Sequence, residues 1–254
     1  MKKQEMKRGK TMLITILAVI VSLSIIAWGI IAYLGRGQTL SVLSIEKLEG
    51  DLSLIHLAKP NNMQWKAGAH AKISLPKSID NPQTASEVVT GASKSKAKDG
   101  ESSRWLTIAS NSNEGEILIL THNSGSPYKK SLTNLPAGSK VELSWLDSSL
   151  STADSNKPFV CFASDVGIAA IRPIIKEELG KRELVLSHLS KGVMVFNNEL
   201  EDSAKKHANL SYESSSSLSQ SQDYLSDAVE RYGNDATYLL GGAIFMFYSI
   251  LYYV

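Results

Sequence analysis

The N-terminal part of the chain contains its longest apolar run. Residues 12–34 carry no charged side chain, and residues 1–11 before them are mainly basic. As an α-helix this run would be about 35 Å long, which is enough for the hydrocarbon core of a bilayer. The basic residues on its N-terminal side predict a cytoplasmic tail over 1–11, a single-pass transmembrane anchor over 12–34 and a soluble module outside the cell membrane. A cleaved secretory signal is the alternative, but the run is long for one and no small-residue cleavage site follows it.

After residue 35 the pattern changes to short β-type runs separated by Pro and Gly. A polar stretch over 77–103 interrupts these runs and is predicted to be a solvated loop. Several short strands at this spacing are typical of an antiparallel barrel. The predicted strands are 40–48, 52–57, 69–75, 105–109, 116–121 and 140–146.

Beyond the polar stretch 147–157, apolar strands alternate with helical patterns, which is typical of a βαβ layer. The predicted strands are 159–163, 183–186 and 237–240, and the predicted helices are 169–179, 198–207 and 223–232. The fold class predicted is therefore a single N-terminal transmembrane helix, an antiparallel β-barrel over 35–150 and an α/β domain over 151–254. The apolar end, 243–254, is too short to span a bilayer as a helix, so we expect it to pack on the sheet. A second membrane contact is the alternative for this segment.

Composition and charge argue against several kinds of partner and site. The net charge is +2, of which residues 1–11 supply +4, so the rest of the chain sums to −2 and no nucleic-acid partner is expected. The single cysteine excludes an intramolecular disulfide and a cysteine-based metal cluster. The five histidines show no paired ligand spacing, so no metal site is predicted.

Six segments contain motif-like words in a fixed order. They read WKAGAHAK at 65–72, RWLTIAS at 104–110, SPYKKSL at 126–132, LPAGSKVEL at 135–143, ASDVGIAAIRP at 163–173 and LLGG at 239–242. Their content and order resemble the ferredoxin–NADP reductase-type flavoproteins, in which a flavin-binding barrel precedes a pyridine-nucleotide domain. The strongest word is RWLTIAS, which is similar to the family's flavin motif R-x-[YF]-[ST]-I-A-S.

The resemblance implies a role for each matching residue. Arg104 would pair with the flavin pyrophosphate, since a guanidinium makes bidentate bonds to phosphate. Thr107 would hydrogen-bond the isoalloxazine or the ribityl chain, and the short helix carrying Ser126, Tyr128 and Lys129 would lie under the phosphates. The implied cofactor is FAD, with FMN as the alternative, and Gly167 and Gly241 match glycines of the nicotinamide loop and of the last strand.

The departures from the family pattern carry equal weight. Leu106 occupies the position of the aromatic residue that stacks on the flavin, so stacking is lost unless Trp105 replaces it. Ser164 and Asp165 occupy the positions of two loop glycines, and a carboxylate there would repel a pyrophosphate. We therefore expect the NAD(P)H site to be degraded.

Two functions from different classes remain open at this point. The first is a membrane-anchored, extracytoplasmic flavin-dependent oxidoreductase that passes electrons through FAD to a membrane or extracellular redox partner. The second is a reductase fold that has lost catalysis and is kept as a surface binding or assembly module.

Overall fold

The structure describes part of the N-terminal apolar run as a helix. The computed structural model describes residues 15–30, 37–76, 102–148, 156–190 and 192–242. Residues 15–30 are helical (α1), and the apolar side chains of this described part are exposed, Trp28 by 76%.

Nowhere in these described ranges is there a helix with both the length and the apolar content needed to cross a bilayer. The prediction of a transmembrane anchor over 12–34 is therefore wrong. The membrane part of the predicted fold class and the predicted location, a single-pass protein with its module outside the cell membrane, are wrong with it. The predicted basic tail, 1–11, lies outside the described residues, as do residues 12–14 and 31–34 of the predicted anchor.

Six antiparallel strands form the first sheet, in the spatial order β4-β3-β6-β1-β2-β5. The strands are β1 (Gln38–Lys47), β2 (Leu52–Ala58), β3 (His70–Ser74), β4 (Ser103–Thr107), β5 (Glu116–His122) and β6 (Lys140–Asp147). An isolated bridge between Ile108 and Ile119 joins the two edges of the sheet. The sheet thereby closes on itself, and the predicted antiparallel β architecture is confirmed.

Buried and partly exposed residues alternate along strands of the first sheet, and the buried ones form its core. Ala71 and Ile73 of β3 are buried at 0% and 1%, whereas the residues between and beside them are partly exposed. Such a period of two places every second side chain inside. The short helix α2 (Pro127–Leu132) packs on the same core through Tyr128 and Leu132, each 1% exposed.

Four parallel strands form the second sheet, in the order β10-β7-β8-β9. These strands are β7 (Phe159–Ser164), β8 (Leu184–Leu189), β9 (Leu210–Ser215) and β10 (Thr237–Gly241). All six residues of β7 and all six of β8 are buried, as expected for parallel strands covered on both faces. Cys161, in the middle of β7, is 0% exposed.

Helices cover both faces of this parallel sheet. They are α3 (Ile168–Glu178), α4 (Asn197–Lys206) and α5 (Leu218–Tyr232). Helices α3 and α4 share a core with one face, and α5 packs on the other. The α/β part of the prediction is therefore confirmed, whereas strand β9 was not predicted and α5 begins five residues before its predicted start. The predicted C-terminal helix, 243–254, lies outside the described residues.

One hydrophobic cluster contains residues of both sheets. Ala109, Leu118 and Leu120 from the antiparallel part belong to the same buried cluster as Phe159 and Ile171 from the α/β part. Shared packing of this kind holds the two parts in a fixed relation.

Candidate functional site

The strongest sequence motif places a cation beside helix α2. The Arg104 guanidinium lies over the Tyr128 ring, 5.5 Å from its centroid, and its Nη1 donates to the Ser103 carbonyl at 2.9 Å. The Tyr128 hydroxyl donates to the Ile73 carbonyl at 2.8 Å. Burial raises the pKa of Tyr128, with a smaller opposing effect from Arg104, so its hydroxyl stays protonated. Tyr128 thus serves as a fixed support for the arginine.

Lys129 adds a second cation next to Arg104. Burial, and then the charge of Arg104, lower the pKa of Lys129. Its ammonium donates to the Thr121 hydroxyl. Among the described residues neither Arg104 nor Lys129 forms an ion pair with a carboxylate. Two neighbouring cations without an acidic partner form a place for an anion.

Ser126 organises the start of α2. It is the N-cap of the helix, and its hydroxyl accepts from the Lys129 backbone N–H at 3.3 Å, while Pro127 occupies the first helical position. Serine before proline is a common helix start because both suit the first turn. The sequence-predicted residues Arg104, Ser126, Tyr128 and Lys129 are therefore brought together in one place.

Trp105 and Leu106 are separated from each other by the alternation of β4. Leu106 is 8% exposed and belongs to the barrel core, whereas Trp105 is 52% exposed. The Trp105 ring lies 5.2 Å from the His70 ring, on the neighbouring strand. Since successive residues of a strand point to opposite faces, Trp105 does not share the face of Arg104. Thr107 ends the strand, paired with His70 and partly exposed.

Gly167 and Gly241 meet at the carboxyl ends of β7 and β10. These neighbouring strands lie on either side of the point where the strand order reverses, which is where open α/β sheets bind ligands. A Cβ built on Gly167 would lie 2.2 Å from the Gly241 backbone, and one on Gly241 would lie 2.8 Å from the Gly167 carbonyl oxygen. Both positions therefore need glycine, so that the segment after β7 can contact the end of β10.

Asp165 lies at the mouth of the same crevice and contacts the barrel. Its carboxylate is paired with Nε2 of His122, the last residue of β5. Its backbone has φ = 54°, in the left-handed region that glycine adopts most readily. Beside it, a Cβ built on Gly242 would lie 1.9 Å from the Ser164 hydroxyl.

A buried histidine stands behind this crevice. His188 of β8 is 1% exposed, and its Nδ1 lies 3.1 Å from the Tyr212 hydroxyl. That hydroxyl donates to Asn197 Oδ1 at 2.8 Å. Burial lowers the pKa of His188 to about 4, against an opposing effect of the Asp165 charge, so the ring is neutral at physiological pH. Sequence reasoning missed His188 because a lone histidine in an apolar strand carries no motif.

A four-charge cluster joins the two parts of the protein. Arg172 of α3 is 4% exposed and bonds Glu114 at 2.8 Å and Glu199 at 2.6 Å, and its Nη1 also donates to the Ala109 carbonyl at 2.7 Å. Lys176, one turn further along α3, bonds the same two carboxylates at 3.1 and 2.6 Å. Arginine and lysine four residues apart on one helix were the available sequence signal.

A separate cavity of about 410 Å³ lies on the barrel. Lys72, Lys140 and Glu142 are its charged lining residues, and hydroxyl groups line much of the remainder. None of the sequence-predicted site residues lines it. It is therefore distinct from the place where Arg104 and Lys129 meet.

Comparison with known proteins gives a likeness in structure alone. No protein-family model matches the chain, and no curated protein matches it in sequence. Solved structures that match it are ferredoxin–NADP reductase-type flavoprotein reductases. At the identities found here, this likeness shows the fold.

Three neighbours illustrate the match. Ferredoxin–NADP+ reductase from Plasmodium falciparum, solved with 2′P-AMP, has a TM-score of 0.63 at 12% identity over 86% of this chain and 91% of its own. Phthalate dioxygenase reductase, described as transferring electrons from pyridine nucleotides to [2Fe-2S], has a TM-score of 0.63 at 17% identity over 85% of this chain. The CS-b5R domains of human Ncb5or, in the NAD+ form, also have a TM-score of 0.63 at 17% identity over 86% of this chain. The chain spans 64% and 65% of the length of the last two proteins.

The residues present fit the two groups that this fold implies to different degrees. For a flavin pyrophosphate the fit is good, because two cations meet at the start of α2 with no carboxylate between them. For a pyridine-nucleotide pyrophosphate the fit is less good, because the carboxylate of Asp165 lies directly after β7.

Proposed function

We propose that this protein is a flavin-dependent oxidoreductase of the ferredoxin reductase type, which transfers electrons through FAD. The observation that carries the proposal is the convergence of Arg104 and Lys129 beside Ser126. When bound, the flavin supplies the redox chemistry, and the protein supplies binding and orientation. FMN would use the same cations through its single phosphate.

The residues of the chain have separate roles in this proposal. The Arg104 guanidinium pairs with phosphate oxygens, and the Tyr128 ring, over which the guanidinium lies, keeps it in place. Lys129 supplies a second positive charge. A bound anion would offset the repulsion between Lys129 and Arg104 and would so favour the charged form of Lys129. Thr107, at the end of β4, offers a hydroxyl to the ribityl chain or the ring. The electron acceptor in this proposal is a redox partner, as in the neighbour that transfers electrons to [2Fe-2S].

A second function, a binding or assembly module without catalysis, is favoured by one specific observation. Leu106 is packed in the barrel core, so the aromatic position of the flavin motif has no ring to stack on the flavin. Trp105 does not replace it, because its ring lies against His70. This reading predicts a protein that keeps its fold but retains no flavin.

The deciding experiment is a visible absorbance spectrum of the full chain, purified after FAD and FMN are supplied. Flavin bands that remain with the protein support the oxidoreductase, and a colourless protein that cannot be reconstituted supports the binding module.

Arg104→Ala should weaken flavin binding by roughly ten- to a hundredfold without changing thermal unfolding, because a charge-assisted bond is lost from an exposed residue. The matched control is Lys130→Ala, which removes the same charge from an exposed position of α2 and should retain flavin. Equal flavin content in Arg104→Ala and the wild-type protein would contradict the role given to Arg104.

A further inference from the structure

The α/β part of the protein bears on which electron donor the proposed oxidoreductase can bind. The crevice at the carboxyl ends of β7 and β10 is where a sheet of this order would take a dinucleotide. Three features of that crevice are unusual for such a ligand, and each rests on a different residue. They concern its glycine contacts, its charge and the way in which that charge is held.

Close backbone contacts hold the segment after β7 against the end of β10. Gly167 and Gly241 approach each other so closely that a Cβ on Gly167 would be 2.2 Å from the Gly241 backbone. Gly242 approaches the Ser164 side chain in the same way. Glycines at a nucleotide site usually leave room for phosphate oxygens to approach the backbone. Here these glycines serve contacts between segments of the chain itself.

Its charge has the wrong sign for a pyrophosphate. Asp165 is the first residue after β7, at the mouth of the crevice, and its side chain is 46% exposed there. A phosphate that entered at this point would meet a carboxylate within a few ångströms. At about 4 Å, like charges repel by roughly 1–4 kcal/mol, depending on the local dielectric.

The carboxylate is also held in position from the other sheet. His122, at the end of β5, is paired with Asp165 across the boundary between the two parts of the protein. The left-handed backbone of Asp165, φ = 54°, is maintained in spite of its cost for a residue with a side chain. Asp165 therefore cannot move aside for a ligand without breaking the contact with His122.

We propose that Asp165, held by His122, is a selectivity element that excludes pyridine-nucleotide pyrophosphates from this crevice. The inference rests on the proposed function, because it says which electron donors the oxidoreductase does not use. The donor is then a molecule or protein without a dinucleotide phosphate.

The experiment measures binding of NADP+ and NAD+ to the full chain by titration calorimetry, without reference to activity. Four proteins are compared: wild type, Asp165→Gly, Asp165→Asn and Asp202→Asn. Glycine and asparagine both tolerate a left-handed backbone, so both variants at residue 165 suit φ = 54°. Asp202→Asn removes the same charge from an exposed residue of α4 that pairs with Lys205.

The expected result is that both variants at residue 165 bind the nucleotides at least roughly tenfold more tightly than wild type. Asp202→Asn should match the wild-type protein. The inference is overturned if the wild-type protein binds as tightly as the variants at residue 165, or if Asp202→Asn gains as much as they do. Thermal unfolding identifies a variant that fails to fold, and the other variant then carries the comparison.

Flavin content is measured on the same four preparations. If the wild-type protein is colourless and the variants at residue 165 still gain nucleotide binding, the proposed function fails and the role of Asp165 stands. If flavin is present and no gain appears, the proposed function stands and the role of Asp165 fails.

Discussion

Arg172 Nη2 donates to Glu114 Oε2 at 2.8 Å and thereby joins helix α3 to the loop between β4 and β5. Glu199 accepts from Nε and Nη2 of the same guanidinium. Burial alone would raise the pKa values of both glutamates, but their bonds to Arg172 and Lys176 leave both pKa values lowered, so both remain charged. Arg172 is the most buried charged residue of this link, which Lys176 shares.

Replacing that arginine should be costly. Arg172→Met leaves two carboxylates next to each other with only Lys176 as partner, and we expect the free energy of unfolding to fall by about 3–5 kcal/mol. Urea denaturation at neutral pH measures the change. The control is Lys205→Met, which breaks an exposed pair and should cost about 1 kcal/mol or less. An Arg172→Met protein as stable as the control would show that the cluster contributes little.

His188 should make stability depend on pH in a defined range. The folded state keeps the ring neutral down to about pH 4, whereas the unfolded chain binds a proton below 6.5. Because the unfolded state then binds more protons, the free energy of unfolding should decrease as the pH falls from 6.5 to about 4. The whole loss from this residue is about 3 kcal/mol, and about 2 kcal/mol of it should be present by pH 5.

Urea unfolding at pH 7 and at pH 5, with wild type and His188→Gln, isolates this contribution. The stability difference between the two proteins should change by about 2 kcal/mol between the two pH values, since glutamine does not titrate. A difference that stays constant would mean that His188 is protonated equally in the folded and unfolded states.

Neighbouring residues of β4 should respond very differently to truncation. Leu106→Ala removes a side chain from the barrel core and should lower the free energy of unfolding by about 2–5 kcal/mol. Trp105→Ala removes a ring that is 52% exposed, so we expect a much smaller loss. Thermal unfolding of the two variants gives the comparison, and similar losses would contradict the placement of Leu106 inside and Trp105 outside.

Gly167 should not tolerate a methyl group. Its φ of −60° suits alanine, so the only obstacle is contact with the Gly241 backbone. Gly167→Ala should lower the free energy of unfolding by at least about 1–3 kcal/mol, as overpacking does. Gly115→Ala is the control, because a Cβ there meets nothing within 4 Å. Equal melting temperatures for the two variants would show that β10 and the segment after β7 move apart freely.

Local patterns were sufficient to predict much of this architecture. The apolar runs of β7 and β8 and the alternation in β3 carry their own signals, because burial on two faces or on one determines which residues a strand can use. Strand β9 was missed because its sequence, LSYESS, is mostly polar, and only its place at the sheet edge explains this.

The site was predictable only where neighbours in sequence are neighbours in space. Ser126, Tyr128 and Lys129 lie on one short helix, so the motif that contains them could locate them together. The contacts of Asp165 with His122, and of Arg172 with Glu114, join residues more than 40 positions apart. Spacing along the chain holds no information about such pairs, and only the packing of the two sheets creates them.

The burial of Cys161 gives the protein a built-in reporter of its own motions. It is the only thiol in the chain, it is 0% exposed at the centre of the parallel sheet, and burial raises its pKa well above the usual range. An alkylating reagent reacts with the thiolate form of cysteine. It can reach Cys161 only when strand β7 is uncovered, since the side chain is fully buried. The rate at which the native protein is alkylated therefore measures how often the α/β core opens, without any introduced label.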